Sequence, residues 1–266
     1  MTDRVRVAVD GHVAIVTLDR PEKHNAVDLP MFAALADAGR RLAADSAVRA
    51  VVLEGAGPSF CAGVDTGIFQ QGENAISPTT MAPGESTPAN FFQSAAYVWR
   101  ELPVPVICAM HGTVFGAGLQ IALGADLRFA SADCRVSVME IAWGIIPDMA
   151  ISTTMPRLLA ADRAKELAWT GRVLSGAEAF ELGLVTALHQ QPATAARETA
   201  QAIAAQSPDA VRAIKVLFDE TPQMTPAEAL QLEATLQLSL LGSGNQLEAV
   251  RARLEKRLPQ FKNPPA

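Results

Sequence analysis

Short runs of alternating apolar and polar residues open the chain, and longer segments with helical spacing follow. The runs VRVAV and HVAIVTL flank Asp10-Gly11 and predict a β-hairpin, because Asp-Gly is a favoured pair in two-residue hairpin turns. A helix capped by Asp28 is predicted to extend to about Ala44, since apolar residues recur there with helical periodicity. The apolar run VRAVVLEG predicts a buried strand.

The middle of the chain predicts mixed strands and helices, whereas its end predicts helices almost alone. A helix near Phe91 to Leu102, a strand VPVICAM, a loop, helix and strand in HGTVFGAGLQIALGADLRFA, and a strand CRVSV are expected in turn. Residues 72–90 are rich in Pro, Thr, Ser and Gly and predict a surface loop. From Thr153 onward several helices are predicted, beginning with MPRLLAADRAKELAWTG and ending with NQLEAVRARLEKRLPQF. This helical cluster could fold over a neighbouring subunit.

Composition narrows the class of protein. The 266 residues are 49% hydrophobic and 19% charged, which suits one large domain or a core with a smaller appendage. A net charge of −6 predicts no nucleic-acid partner and no attraction to an anionic membrane, and no apolar run reaches spanning length. The three cysteines and four histidines are scattered without metal-ligand spacing, so we expect reduced thiols, no metal site and a cytoplasmic location.

Two glycine-containing segments could bring backbone N–H groups close to a ligand. They are CAGVD at residues 61–65 and GTVFGAGLQ at residues 112–120, and each leads from a loop into a helix. Helix N-termini present N–H donors that have no partner within the helix. Two such donors aimed at one point would form an oxyanion hole. Tight turns alone are the alternative, because glycine loops are common.

Five segments, in order from about Val5 to Lys262, together resemble the enoyl-CoA hydratase/isomerase family, the crotonase superfamily. They are DRPEKHNAVD, GAGPSFCAGVD, AMHGTVFGAGLQIALGADLRFAS, EIAWGIIPDMA and LSGAEAFELGLV, and the tail LEKRLPQFKN is also similar. The resemblance implies an α/β fold, the ClpP-like crotonase spiral of β-β-α units. Residues 1–190 would form the spiral core with the active site, and residues 191–266 a helical trimerisation region. A trimer or a dimer of trimers is expected.

The resemblance also implies that the substrate is an acyl-CoA thioester. Coenzyme A would then be part of the substrate, and neither a separate cofactor nor a metal would be needed. By position, the backbone N–H groups of Val64 and Ala117 would bind the thioester carbonyl oxygen and stabilise the enolate that forms beside it. Ala117 stands where the family commonly has glycine, which is a mild change because only its N–H is required.

Contacts with the rest of coenzyme A follow from the same resemblance. The adenosine end should lie near Ala62 and Asp65. Lys23 and Lys262 are candidate partners for the phosphate groups, with solvated surface as the alternative for both lysines. The segment at 72–90 is expected to border the acyl tail.

Two acidic positions and one amide decide which chemistry the sequence favours. Family hydratases usually have two glutamates; here Glu140 occupies the second position and Gln120 the first. An amide cannot exchange a proton near neutral pH, whereas a double-bond shift needs only a base that takes a proton from one carbon and returns it to another. Asp148, eight residues after Glu140, resembles an acid of the family's dienoyl-CoA isomerases, although those enzymes also carry an acid at the Gln120 position. Isomerisation with Glu140 as base is therefore favoured.

Several alternatives stay open at this level. The chain could be an enoyl-CoA hydratase in which Gln120 holds water, or a non-catalytic member that binds acyl-CoA or RNA. Asp148 also resembles the nucleophile of the family's aromatic-acyl-CoA dehalogenases, for which only Trp143 supplies an aromatic neighbour. In purely structural roles, Glu140 would cap the following turn, Asp148 would cap a helix near Ser152, and Gln120 would satisfy backbone groups.

Overall fold

Within residues 4–71, 76–85 and 87–264, which the computed structural model describes, nine strands form two sheets. The strands are β1 (Val5–Asp10), β2 (Val13–Leu18), β3 (Ala50–Gly55), β4 (Val106–Met110), β5 (Thr113–Phe115), β6 (Leu127–Ala130), β7 (Arg135–Ser137), β8 (Leu174–Ser175) and β9 (Ala187–Leu188). The larger sheet has the order β1-β2-β3-β4-β6-β9, and the smaller one has the order β5-β7-β8.

Helices connect and cover these strands. They are α1 (Leu29–Ala44), α2 (Gly67–Gln71), α3 (Phe91–Glu101), α4 (Ala117–Leu123), α5 (Ile151–Thr154), α6 (Ala161–Thr170), α7 (Gly176–Glu181), α8 (Pro192–Ala204), α9 (Pro208–Glu220), α10 (Pro226–Leu240) and α11 (Gly244–Leu254). Short 3₁₀ turns lie at Pro21–Lys23, Glu140–Trp143, Met155–Arg157 and Thr221–Gln223. Within the described residues, no helix is long and apolar enough to cross a membrane.

Local sequence signals produce the first elements as predicted. β1 and β2 pair antiparallel with Asp10 opposite Val13, and Gly11 adopts the left-handed conformation that the turn requires (φ 58°). The Asp28 carboxylate caps α1 by accepting from the Met31 N–H, so the predicted cap is confirmed. From β2 to β9 each neighbouring pair in the larger sheet runs parallel, as crossover helices require.

Both faces of the larger sheet are buried at its central strands β2, β3 and β4. On β4, Val106, Cys108 and Met110 join the main core, which also contains residues of α1 and α3. The alternate residues Ile107 and Ala109 face a second cluster on the opposite side. The period of two along a strand therefore supplies apolar side chains to both layers at once.

Helix α8 covers the second face of the sheet. Ala196, Ala200 and Ala204 lie four residues apart, so they share one face of the helix, and all three are buried against β3, β4 and β6. Small side chains let the helix approach the sheet closely. The predicted division of the chain at residue 190, into a spiral core and a helical trimerisation region, stays a prediction.

Three details of the predicted elements were wrong. The segment HGTVF contains the short strand β5, whose parallel pairing with β7 depends on a non-local partner. The segment MPRLLAADRAKELAWTG is not one helix: a 3₁₀ turn ends at Arg157, and α6 begins only after Ala160, which is extended. The last helix ends at Leu254, because Lys256 adopts the left-handed conformation (φ 53°) and breaks the helical hydrogen-bond pattern.

The predicted surface loop at 72–90 is described only in part. Residues 72–75 and 86 lie outside the described residues, and positions 76–85 and 87–90 form turns and bends. Asn90 at its end is buried and caps α3, exchanging hydrogen bonds with Gln93 in a capping box.

The close fit of α8 generates a stability prediction. We expect Ala200→Leu to lower the free energy of unfolding by about 1–3 kcal/mol, because the added methylene groups cannot fit between helix and sheet without strain. Glu198→Leu places the same side chain on the exposed face of α8 and is the matched control. Urea denaturation of both variants measures the difference. Equal stabilities would mean that the helix does not pack as described.

Candidate active site

The two glycine loops pack directly against each other. The Cys61 N–H donates to the Thr113 carbonyl at 3.0 Å, and the Phe115 N–H donates to the Cys61 carbonyl at 3.0 Å. A Cβ atom on Gly118 would overlap the Cys61 carbonyl oxygen, and one on Gly63, where φ is +106°, would lie 3.1 Å from the Phe115 carbonyl oxygen. Glycine at these positions therefore permits the close approach of the loops.

The Val64 N–H is directed away from its neighbouring chain segment. Val27 donates to the Gly63 carbonyl at 2.8 Å and accepts from the Asp65 N–H at 2.9 Å, as in a parallel bridge centred on Val64. Because successive residues of an extended segment direct their amides to opposite sides, the Val64 N–H faces away from Val27. Among the described residues, it donates no backbone hydrogen bond.

Ala117 supplies a second donor of the same kind. It is the first residue of α4. The preceding residue, Gly116 (φ 51°), has no side chain that could cap the helix. The Ala117 N–H therefore belongs to the helix-end donors that have no partner within the helix. Val64 and Ala117 line one cavity of about 430 Å³, and Glu140 lines it too.

The Glu140 carboxylate is buried at this cavity, with only 7% of the residue exposed. Its Oε1 accepts a hydrogen bond from the Gln120 amide at 2.6 Å, while its Oε2 has no hydrogen-bond partner among the described residues. Burial raises the pKa of Glu140, with a further contribution from nearby Asp148; backbone N–H groups and the Gln120 amide oppose this shift. One oxygen is therefore held, and the other is buried without a partner.

Gln120 lies behind Glu140 rather than in the cavity wall. Its Nε2 donates to Glu140, and its Oε1 accepts from the Met149 N–H at 2.8 Å. The side chain is 1% exposed and is not among the residues that line the cavity. Gln120 thus does satisfy a backbone group, and it also ties α4 to the segment that follows Glu140.

Asp148 is half-buried and lies near Glu140, but it does not line the cavity. Burial raises its pKa. The alternative that it caps the following helix is wrong, because α5 begins after Ala150, and no side chain caps it. A role for Asp148 in chemistry stays a prediction.

A buried amide that the sequence analysis missed fastens the early loop to the first glycine loop. The Asn25 Nδ2 donates to the carbonyls of Ala56, Ser59 and Phe60 at 2.8–3.1 Å, and its Oδ1 accepts from the Arg20 N–H at 2.8 Å. The residue is fully buried in the left-handed conformation (φ 56°). Asparagine tolerates this conformation better than most residues. Its position directly after RPEKH is the one local signal in the sequence that could have indicated this turn.

The chain is similar over nearly its whole length to known acyl-CoA enzymes. A family model described as enoyl-CoA hydratase/isomerase matches residues 9–264. Enoyl-CoA hydratase EchA19 of Mycobacterium tuberculosis (strain ATCC 25618 / H37Rv) is 32% identical over 259 residues, which cover 95% of this chain and 94% of that protein. The 1,2-epoxyphenylacetyl-CoA isomerase of Escherichia coli (strain K12) is 33% identical over 257 residues, with coverage of 95% and 96%.

Solved structures agree with this similarity. The crystal structure of an enoyl-CoA hydratase from Polaromonas sp. JS666 has a TM-score of 0.86 at 28% identity, covering 97% of this chain and 99% of that one. The chain belongs to the enoyl-CoA hydratase/isomerase family. The predicted family and the predicted crotonase fold, with its C-terminal helical region, are confirmed.

In this member of the family, three of the four residues predicted to contact coenzyme A line the cavity: Lys23, Ala62 and Asp65. The Ala62 N–H already donates to the His24 carbonyl, so its own carbonyl is the group left for a ligand. The Gly67 N–H and Arg20 at 2.6 Å both bind the Asp65 carboxylate and lower its pKa.

Lys262 is placed elsewhere in this family member. Its backbone exchanges hydrogen bonds with the Asn245 side chain at 2.9 Å in each direction, and Asn263 beside it binds Arg49. Lys262 is exposed and is not among the lining residues of the cavity. Within one chain, its surroundings fit the alternative of solvated surface.

The apolar wall of the cavity was largely missed from the sequence. Phe69, Phe115, Met139, Trp143 and Ile145 contribute to the lining. In the sequence, Trp143 is only a weak sign of an aromatic site, and the other four residues fall in three separate segments. Only the turn after Glu140 carried a signal, namely large apolar residues in a segment that is otherwise turn-forming.

The raised pKa of Glu140 predicts how stability changes with pH. The folded protein holds the Glu140 proton more tightly than the unfolded chain does, so this group stabilises the fold below the unfolded pKa of 4.5 and loses that contribution as pH rises through the folded value. Glu140→Gln removes the titration and keeps the shape. The variant should therefore gain stability relative to the wild type as pH rises from about 4 to 8.

Denaturation of both proteins across this pH range measures the effect. Glu166→Gln is the control, because Arg172 lowers the pKa of the exposed Glu166, which gives a shift of opposite sign. A Glu140→Gln difference that is independent of pH would contradict the burial argument.

Proposed function

We propose that the chain is an isomerase that moves a double bond within an enoyl- or dienoyl-CoA thioester. The backbone N–H groups of Val64 and Ala117 bind the thioester oxygen and stabilise the enolate, while Glu140 takes a proton from the carbon beside the carbonyl. Glu140 then returns the proton further along the chain, so that the double bond shifts and no water or electron is consumed.

The state of the Glu140 carboxylate carries this proposal. A buried carboxylate oxygen without a partner is costly, and Glu140 Oε2 is such an atom at the wall of the cavity that Val64 and Ala117 share. A substrate C–H placed there would meet the one oxygen that is free to accept a proton. The pKa of Glu140 is shifted upward, toward neutral pH, which suits a group that must both accept and return a proton.

The surroundings of Gln120 favour isomerisation over hydration. Hydration in which two groups divide the proton transfers needs a second acid or a group that holds the water. Gln120 cannot exchange a proton, and its Oε1 is engaged by the Met149 N–H. We infer that Gln120 is a positioning residue, which fixes the orientation of the Glu140 carboxylate.

Hydration of a 2-enoyl-CoA is the second candidate function. It is favoured by the names of several relatives, among them the hydratase from Mycobacterium tuberculosis, whereas the relative from Escherichia coli is named an isomerase. Hydration would need a water near Glu140 Oε2 that is held by groups other than Gln120 Oε1. We therefore place it behind isomerisation.

Coenzyme A would approach along the loop that carries Lys23, Ala62 and Asp65. Lys23 is exposed at the cavity and offers a positive charge to a phosphate group. The thioester itself activates the neighbouring C–H bond once its oxygen is bound, so the proposal requires neither a metal nor a separate cofactor.

The oxyanion donors can be tested by removing one N–H. We expect Ala117→Pro to lower kcat by about 10²–10³, the usual effect of losing one such donor. The fold should persist, because Ala117 is the first residue of α4, a position where proline is tolerated. Turnover is measured together with the circular dichroism spectrum of the variant.

Ala161→Pro is the matched control for this substitution. Ala161 is the first residue of α6 and follows the extended residue Ala160, so proline fits there as well, and it lies outside the cavity lining. Ala161→Pro should keep wild-type turnover. Near-normal activity in Ala117→Pro would exclude its N–H as a donor.

Isotope exchange distinguishes the candidate reactions. The protein is incubated with 2-enoyl-, 3-enoyl- and dienoyl-CoA in deuterated water, and products are analysed by mass spectrometry. Deuterium incorporation without water addition supports an isomerase, and a 3-hydroxyacyl product supports a hydratase. If neither is observed, the outcome favours a non-catalytic acyl-CoA or RNA binder. Glu140→Gln should abolish exchange at the carbon beside the carbonyl, and retained exchange would refute its role as base.

Asp148→Asn separates the two kinds of isomerase. A simple 3-enoyl shift should survive this change, whereas a dienoyl shift that needs a second acid should stop. If both reactions continue unchanged, Asp148 has no part in proton transfer.

A further inference from the structure

We propose that Phe69 and Trp143 select acyl groups that carry an aromatic ring close to the thioester, in preference to saturated chains of similar size. This inference deepens the proposed function and rests on it, because it concerns the acyl part of the same thioester substrate.

The two rings form one surface at the cavity. Their centroids lie 5.7 Å apart, with planes inclined by 31°, and both residues line the cavity. Yet 57% of Trp143 and 37% of Phe69 remain exposed. Exposed neighbouring aromatic side chains leave apolar area in water that a bound group could cover.

Chain connections tie each ring to one part of the proposed chemistry. Trp143 ends the 3₁₀ turn that Glu140 begins, so the base and the indole share a single turn. Phe69 lies in α2, five residues after Val64. A group that covers this pair therefore lies beside the carboxylate and the first oxyanion loop, where the acyl part of a thioester would be.

Other members of the wall strengthen the preference for an apolar occupant. Phe115, Met139 and Ile145 line the same cavity. The Arg135 guanidinium lies 5.3 Å from the centre of the Phe115 ring and holds it by a cation–π contact. Aromatic residues are only 5% of the chain, so finding three of them around one cavity marks it as a chemically distinct site.

Ring-bearing groups gain from such a wall in two ways that saturated chains do not. Each offset or edge-to-face contact between aromatic rings improves affinity by roughly two- to tenfold beyond the area it buries. A rigid ring also loses less conformational freedom on binding than a flexible alkyl chain. The first gain requires aromatic side chains in the wall, so it should disappear when they become aliphatic.

Binding of saturated thioesters tests the preference without any turnover. Titration calorimetry compares phenylacetyl-CoA with octanoyl-CoA, which has the same number of carbon atoms, and with hexanoyl-CoA, which is closer in volume. The wild type should bind the phenyl thioester at least several-fold more tightly than either. Phe69→Leu and Trp143→Leu, which keep apolar bulk, should together bring this ratio down to near one.

Three controls make the result specific. Trp143→Phe keeps an aromatic face and should retain most of the preference, and Trp169→Leu removes a similarly exposed indole outside the cavity lining and should change nothing. Tryptophan fluorescence should change when the phenyl thioester binds at constant protein concentration, and Trp143→Phe should remove most of that change. The proposal would be overturned if the leucine variants left the ratio unchanged. It would also be overturned if the fluorescence changed only on dilution of the protein, when an oligomer dissociates, and not on addition of the thioester.

These outcomes are separable from the proposed reaction. Loss of exchange in deuterated water removes the isomerase function but leaves the measured binding ratio intact. Equal binding of phenyl and alkyl thioesters removes only the selectivity.

Discussion

The contact between the two glycine loops is the constraint on which the site depends. Paired hydrogen bonds join Cys61 to Thr113 and Phe115, and the absence of a side chain on Gly118 lets α4 start directly against the Cys61 carbonyl. This packing fixes the position of the Ala117 amide relative to the loop that carries Val64. Backbone donors held in this way need no reorganisation when charge develops on a ligand, which is the property that makes such donors effective.

Near this contact lies the Glu140 carboxylate, whose ionised form is disfavoured by burial. Burial of a carboxylate without any partner would cost roughly several kcal/mol, so a buried carboxylate needs at least one hydrogen bond. Gln120 binds one oxygen of Glu140, and the other oxygen has no hydrogen-bond partner within the part of the chain that the structure describes. The second half of the same amide accepts the Met149 N–H, so the segment after Glu140 is held in place by the residue that orients its carboxylate.

Local signals in the sequence were sufficient for much of the fold but not for the site's inner contacts. The hairpin turn and the Asp28 cap of α1 depend on neighbours within a few residues, so they could be predicted. Strand β5 exists only because β7 lies beside it, and the Gln120–Met149 bond joins positions 29 residues apart. Pairings of this kind are set by the tertiary structure, which no periodicity encodes. The resemblance supplied the positions of Glu140 and Gln120, but not the bond between them.

The amide at position 120 also changes the electrostatics around Glu140. A glutamate there would place three acidic groups together with Glu140 and Asp148, and repulsion between charges in a low dielectric would keep at least one of them protonated. An amide of the same shape removes that repulsion and donates a hydrogen bond that favours ionised Glu140. The burial of Glu140 and the proximity of Asp148 act in the opposite direction and raise its pKa. The balance leaves one acid at the cavity wall, Glu140, whose pKa is shifted by neighbours that do not themselves line the cavity. The proposed isomerisation would use such a group to carry one proton between two carbons.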